Sequence, residues 1–273
     1  MKKLFSLSLI IILCAGFLTS CKKDKGDPPS LPPLESMTID FTNFASLKKS
    51  GEMINFGKGT ETSNWEFAAT AAGVWKLLIT TTLAIPVTSF KLAIDQDPTF
   101  LETKTWQWSY TVSVAAVTYK ARLTGQIGSS DVTWKMYISK DATGGASFAE
   151  FVWFEGTSKL DGTGGQWILN QSSSSPDPML QIDWTKTGTS VGSIKYTYVR
   201  SADAFNASYI EYGLTTSTLN AFYNIHYYNG TKFSDVNVEW NTTTKNGRVK
   251  SLDYLGDSDW HCWDSNKINV TCP

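Results

Sequence analysis

Most of the chain alternates between apolar and other residues with a period of two, and this constrains the fold more than any other feature. In the first such segment Trp106, Trp108 and Tyr110 fall on one face of a strand, with Gln107 and Ser109 opposite. A period of two is typical of strands that bury one face of a sheet. The same alternation recurs in segments 117–123, 132–138, 180–184, 194–198, 210–214, 223–227 and 236–240.

Short turns join these segments. Asn229-Gly230 and Asn246-Gly247 are strong hairpin signals, because both central positions of the favoured turn need a positive φ. No helical pattern intervenes between the strands. The sequence therefore predicts a mainly β fold, an antiparallel β-meander of about ten strands curled into a barrel or half-barrel. Regular lipid-facing bands are missing, which disfavours a membrane-spanning barrel.

One region before the strands has a helical pattern. Ser63 and Glu66 fit a capping box, and the residues from there to Ile85 are apolar nearly all round. Pro86 is expected to end or kink this helix, with a shorter second helix near residues 90–94. The prediction is a helical insert, about 63–96, that packs against the sheet of a single domain, 37–273.

The sequence also predicts a strand before the helical region and argues against a transmembrane helix. Residues 37–44 alternate enough for a first strand, with Ile39 and Phe41 on one face. A transmembrane reading of the helical region fails because Lys76 is central and threonines are frequent.

The N-terminal residues have the pattern of a targeting sequence. Lys2 and Lys3 precede an apolar run, residues 4–17, and Leu18-Thr19-Ser20-Cys21 follows. This arrangement is similar to the signal peptide and lipobox of bacterial lipoproteins. The resemblance implies that residues 1–20 are removed and that Cys21 is lipidated, which gives the protein a membrane partner.

The residues after Cys21 refine this expectation. Lys22 stands where an aspartate is the inner-membrane retention cue, so the resemblance to Gram-negative lipoproteins implies the outer membrane, facing the periplasm or the cell surface. Residues 21–36 are rich in proline and predict an extended tether. The resemblance is specific over residues 1–21, and the combination of a curved sheet with helices is similar in class to the Lol lipoprotein carriers.

The predicted processing of the N-terminus determines how many cysteines remain free to pair. Cys14 leaves with the signal and Cys21 takes the lipid, so two of the four cysteines, Cys262 and Cys272, remain. In an oxidising envelope such a pair predicts a disulfide. A metal site that uses His261 with both cysteines is the alternative, and the scarcity of further thiols and imidazoles disfavours it.

Known catalytic patterns are not found. The formal net charge of −1 offers no basic patch, so nucleic acid is not an expected partner. Neither a Gly-x-Ser-x-Gly elbow nor a His-Glu-x-x-His motif occurs, and the chain has only two histidines. His226 lies on one face of a predicted strand and is interpreted as structural.

Carboxylates offer two weak signals. Five lie near strands and could include the pair that a glycoside hydrolase needs: Glu150, Glu155, Asp183, Glu211 and Glu239. In the loop near His261, three candidate Ca²⁺ ligands occur, namely Asp257, Asp259 and Asp264. A solvated hairpin with Asx turns is the alternative there, and no other cofactor is expected.

Aromatic residues are the remaining candidates for a binding site, since the chain has 11 tryptophans. Five lie near turns and strand ends, where exposed rings can stack on sugars or line an apolar mouth: Trp153, Trp167, Trp184, Trp260 and Trp263. Core packing is the alternative for each of them. The sequence favours a non-enzymatic binding or scaffold module for a glycan or apolar ligand over a polysaccharide-acting enzyme or a purely structural envelope component.

Overall fold

The fold is one continuous antiparallel meander. A computed structural model describes residues 25–44, 63–114, 116–188 and 190–273. Every strand pairs with its neighbours in sequence, in the order β1 to β14, and the sheet is open between β1 and β14. The strands are β1 (Thr99–Phe100), β2 (Thr105–Val114), β3 (Val117–Ile127), β4 (Asp131–Ala142), β5 (Phe148–Lys159), β6 (Gly164–Asn170), β7 (Pro178–Thr187), β8 (Ser190–Tyr198), β9 (Tyr209–Leu214), β10 (Ala221–Tyr228), β11 (Phe233–Trp240), β12 (Gly247–Lys250), β13 (His261–Trp263) and β14 (Asn269–Val270).

The predicted mainly β meander is confirmed, with more strands than expected. The additional strands include β1, β13 and β14, which have two or three residues each. Such strands are too short to show a period in sequence, and they form because a longer neighbour offers unpaired backbone groups. Short outer strands also limit the edge that the open sheet exposes.

A single long helix, α1 (Asn64–Ile94), lies against the concave face of the sheet. It begins with the predicted capping box: the Ser63 hydroxyl accepts a bond from the Glu66 amide, and the Glu66 carboxylate accepts one from the Ser63 amide, both at 3.1 Å. Of the two alternatives at Pro86, an end of the helix with a second helix after it is wrong, because α1 continues through Pro86 to Ile94; a kink there stays a prediction. Pro86 is buried, so packing outweighs the hydrogen bond that proline removes. A short helical turn, α2 (Leu252–Leu255), follows β12.

The N-terminal segment packs into the domain earlier than the sequence predicts. Pro32 and Ser36 are buried, and Leu31 packs against the core, so residues 31–36 are not part of a free tether. The Ser36 hydroxyl accepts a bond of 3.1 Å from the Trp167 indole. The predicted signal peptide, Cys21 and the first tether residues lie outside the described residues.

The predicted first strand, 37–44, is also absent from the described sheet. Two 3₁₀ turns, Leu34–Met37 and Thr42–Phe44, occupy this segment instead. Its apolar residues Met37, Phe41 and Phe44 are buried in the core. Their spacing of four and three residues differs from the period of a strand, and they fill the space inside the curved sheet.

The turns between strands define two ends of the sheet. The turns after β3, β5 and β7 lie at the near end, where Pro29 to Pro33 of the N-terminal segment line a hollow with Ile127, Leu160 and Trp184. The turns after β2, β4, β6, β8 and β10 lie at the opposite, far end. A nine-residue strand such as β8 separates the two ends by about 30 Å.

Candidate functional site

Three of the five candidate tryptophans belong to the core. Trp167, Trp184 and Trp263 have 0%, 2% and 1% of their surface exposed. The prediction that their rings are available to a ligand is therefore wrong, and the core alternative holds. The physical reason is that their strands bury one face under α1 and the N-terminal segment, and all three indoles point to that face.

The other two candidates are half-buried, and their rings already have neighbours. The Trp260 ring lies 4.3 Å from the Arg248 guanidinium and 4.8 Å from the Lys250 ammonium. The Trp153 ring packs against Phe151 at 5.3 Å and Phe148 at 6.2 Å between centroids. Neither indole is an isolated platform of the kind that stacks on a sugar.

Three aromatic rings on the convex face also pack against neighbouring side chains. The Lys195 ammonium lies 3.8 Å above the Tyr209 ring, which stacks on His226 at 5.3 Å. On its other side His226 stacks on Phe233 at 4.6 Å, and its Nδ1 lies 2.7 Å from the Asp235 carboxylate. These contacts agree with the structural interpretation of His226.

The three aspartates proposed for calcium do not converge. Asp257 and Asp259 precede β13 at the far end, whereas Asp264 follows it. The Asp257 carboxylate accepts the Asp259 amide and contacts His261 Nε2, both at 3.0 Å, which lowers its pKa. The Asp264 carboxylate accepts backbone amides within its own turn. No group of three metal-ligating side chains occurs in the described ranges, so the Asx-turn alternative fits better.

The five strand carboxylates lie on the convex face and are held by neighbours. Arg122 bonds Glu150 at 2.7 and 2.8 Å, which lowers the pKa of Glu150. The remaining contacts are Lys135 with Glu155, Gln166 and Gln181 with Asp183, Asn224 with Glu211, and Arg248 with Glu239. Glu239 and Asp264 share a near-end hollow of about 740 Å³, but each is already engaged by the bonds described. This arrangement does not favour acid–base chemistry.

An apolar hollow of about 270 Å³ at the far end is the best candidate site. One wall is α1 and the other is the concave side of β8–β10. Its lining contains no charged side chain and consists of Ala71, Val74, Trp75, Leu78, Tyr198, Phe205, Ser208, Ile225 and Tyr227. We call this hollow the far-end pocket.

Strand register brings the sheet wall together. Ile225 pairs with Ile210, and two residues further along β10 Tyr227 lies at the strand end, beside the connection from β8. Because side chains two apart share a face, Ile225 and Tyr227 both point toward α1. From the helix, Ala71, Val74 and Leu78 follow a three- and four-residue spacing that presents one stripe to the pocket.

The connection between β8 and β9 carries Phe205 to the pocket rim. The Asp203 carboxylate accepts the Phe205 amide at 3.0 Å and the Tyr198 hydroxyl at 2.9 Å. These bonds lower the pKa of Asp203. They fix the turn, so that Phe205, 52% exposed, stands beside the opening.

Sequence reasoning missed the far-end pocket. Its residues come from α1, two strands and a turn, and alternation alone does not reveal where a helix leaves a sheet uncovered. A weak signal exists in Phe205, the single aromatic residue in the connection between β8 and β9. No family model matches the chain, and neither a curated protein nor a solved structure with significant similarity to it is found.

Proposed function

We propose that the protein is a lipid-anchored envelope protein that binds an apolar ligand, such as an acyl chain, in the far-end pocket. The observation that carries the proposal is the lining, which joins apolar and aromatic side chains from α1 and the sheet around an open hollow. Ligand pockets of this kind are mostly apolar with a few polar groups, here the hydroxyls of Tyr198, Ser208 and Tyr227.

The aromatic residues support an apolar ligand over a glycan. Sugar recognition by stacking needs a free ring face, and the rings of Tyr209 and Trp260 lie against neighbouring side chains. At the far-end pocket, by contrast, Phe205 and Val74 remain exposed at the rim. Burying these side chains under a ligand is favourable by roughly 25 cal/mol per Å² of apolar surface.

A fluorescent fatty acid tests the pocket. Residues 22–273 are titrated with cis-parinaric acid, whose emission rises in apolar surroundings. Val74→Asp places a carboxylate at the rim and is expected to weaken binding roughly tenfold, because the ligand must then bury a charge. Ile85→Asp is the matched control, since Val74 and Ile85 are 38% and 41% exposed on α1 but only Val74 lines the pocket.

The two variants separate the outcomes. Unchanged binding by Ile85→Asp with loss in Val74→Asp supports the site. Equal affinities for both variants, or no emission change with the unsubstituted chain, contradict it.

The lipobox residues support the lipid anchor, which does not depend on the far-end pocket. Leu18, Thr19 and Ser20 precede Cys21 as in bacterial lipoproteins. Expression in a Gram-negative host, followed by intact-mass measurement, is expected to show a chain that starts at Cys21 with added acyl mass. Outer-membrane fractionation is expected to retain this chain, whereas Cys21→Ser is released. An unmodified Cys21 would overturn the anchor without affecting the pocket.

A further inference from the structure

The outward face of α1 is apolar although it is exposed. Val74, Leu77 and Ile85 have 38%, 52% and 41% of their surface accessible. Within the described ranges α1 is the single helix long and apolar enough to span a membrane, yet only 33% of its most apolar stretch is buried. We call its outward residues the outer stripe, comprising Val74, Leu77, Thr80, Thr81, Ala84, Ile85 and Thr88.

Two of the three threonines of the outer stripe, Thr81 and Thr88, bond their hydroxyls to the preceding turn of the helix. Thr81 Oγ1 donates to the Leu77 carbonyl at 2.8 Å, and Thr88 Oγ1 donates to the Ala84 carbonyl at 2.7 Å. Bonds of this kind to the preceding turn satisfy the hydroxyl without water. Because these two hydroxyl groups do not require a water molecule as hydrogen-bond acceptor, they can enter an apolar environment at a lower desolvation cost.

After its first turn, which contains Glu66, α1 carries charge of one sign. Between Glu66 and the end of the helix the sequence contains no acidic residue, and its two charged residues are Lys76 and Lys91. The two lysines lie near opposite ends of the outer stripe. Long cationic side chains in such positions reach toward headgroups and are attracted by anionic lipids.

The short tether bounds the distance between the domain and an anchor. Lys25 Nζ already lies 6.0 Å from the Phe100 ring, and Pro32 is buried. Cys21 precedes Lys25 by four residues, which span at most about 14 Å when extended. A lipid on Cys21, as proposed above, therefore keeps the near end of the domain close to the bilayer, and it adds to a contact that the outer stripe makes on its own.

We propose that the outer stripe lies in the interfacial layer of a phospholipid bilayer, with the α1 axis parallel to the membrane plane. The stripe then buries its apolar side chains at the boundary between headgroups and acyl chains. Val74 belongs both to the stripe and to the far-end pocket, so this orientation places the pocket opening at the membrane surface. The bilayer contact itself does not require a pocket ligand.

Vesicle flotation tests this surface. Residues 22–273, which contain every described contact and lack the anchor, are mixed with vesicles of phosphatidylethanolamine and phosphatidylglycerol. The Leu77→Asp/Ile85→Asp double variant is expected to bind roughly tenfold more weakly, because two carboxylates must enter the apolar layer. The matched control is Leu252→Asp/Ile268→Asp. These two side chains are 65% and 61% exposed and lie outside the outer stripe, so this double variant is expected to leave vesicle binding unchanged.

Several outcomes contradict the proposal. Absence of the unsubstituted chain from the vesicle fraction would overturn it, and so would equal flotation of the two double variants. A dimer in solution that only the Leu77→Asp/Ile85→Asp substitutions dissociate shows that a second copy covers the stripe instead. Failure here leaves the pocket assay unaffected, because that titration contains no vesicles and Ile85→Asp is expected to retain cis-parinaric acid.

Discussion

Trp167 lies directly opposite Gly156 in the neighbouring strand, and its indole covers the place where a Cβ of residue 156 would stand. On the other side of Gly156, β4 presents Trp134. Tryptophan and glycine thus alternate across this part of the concave face, and Gly125 and Gly156 are each covered by the indole of a neighbouring strand. The row across β2 to β6 is Trp106, Gly125, Trp134, Gly156 and Trp167.

We expect Gly156→Ala to lower the free energy of unfolding by about 3 kcal/mol, since its methyl group meets the Gln166 carbonyl and the Trp167 ring. Gly145→Ala is the control, because the nearest atom to its new methyl is Ala142 Cβ at 3.4 Å. Urea unfolding followed by tryptophan fluorescence measures both. Equal stability of the two variants would show that the row tolerates a side chain.

Tyr196 and Tyr223 provide a second comparison. Both are fully buried, but the Tyr223 hydroxyl donates to the Asp40 carbonyl, whereas the Tyr196 hydroxyl has no hydrogen-bond partner in the described part of the chain. Tyr196→Phe is expected to stabilise the fold by up to about 1 kcal/mol, and Tyr223→Phe to destabilise it by about 1–2 kcal/mol. Chemical unfolding distinguishes them, and a stability loss in both would indicate a bound water at Tyr196.

The same tyrosines predict an alkaline loss of stability. Burial raises the pKa of Tyr196 and of Tyr223 well above the usual value near 10. Because the unfolded chain then loses these protons first, the stabilisation is complete below about pH 10 and falls as the pH rises further. Each tyrosine contributes a slope of about 1.4 kcal/mol per pH unit there, so Tyr196→Phe is expected to flatten the decline. Urea midpoints between neutral and alkaline pH measure it, and identical slopes would refute this.

The C-terminal disulfide is expected to stabilise the start of α1. The sulfur atoms of Cys262 and Cys272 lie at bonding distance, 2.09 Å, as the cysteine count predicts. Between these cysteines, Asn269 accepts the Asn64 amide at 2.8 Å, and the Cys262 carbonyl accepts the Asn64 side chain at 2.8 Å. Cys272→Ser is expected to cost about 2–3 kcal/mol.

A thermal melt with and without reductant measures this effect. The reductant lowers the Tm of the unsubstituted chain and leaves that of Cys272→Ser unchanged. A Tm of the unsubstituted chain that does not respond to reductant contradicts the expected role.

Local signals predicted what depends on a few neighbouring residues. The capping box at Ser63 and the half-buried strands follow from side chains close in sequence, so the structure agrees with them. The continuous helix through Pro86 could not be predicted in this way, because its stability depends on burial against distant strands. The near-end packing of residues 31–36 likewise depends on Trp167, which lies far along the chain.

The sequence by itself determined the mainly β class, the meander order and the cysteine pair, because alternation, turn residues and cysteine number are local or countable properties. Tertiary structure alone decided which aromatic residues are accessible. It buried Trp167, Trp184 and Trp263 under the helix and the N-terminal segment and left Val74, Leu77 and Phe205 exposed. The physical reason is that burial depends on where α1 crosses the curved sheet, and that path is set by packing between residues far apart in the chain.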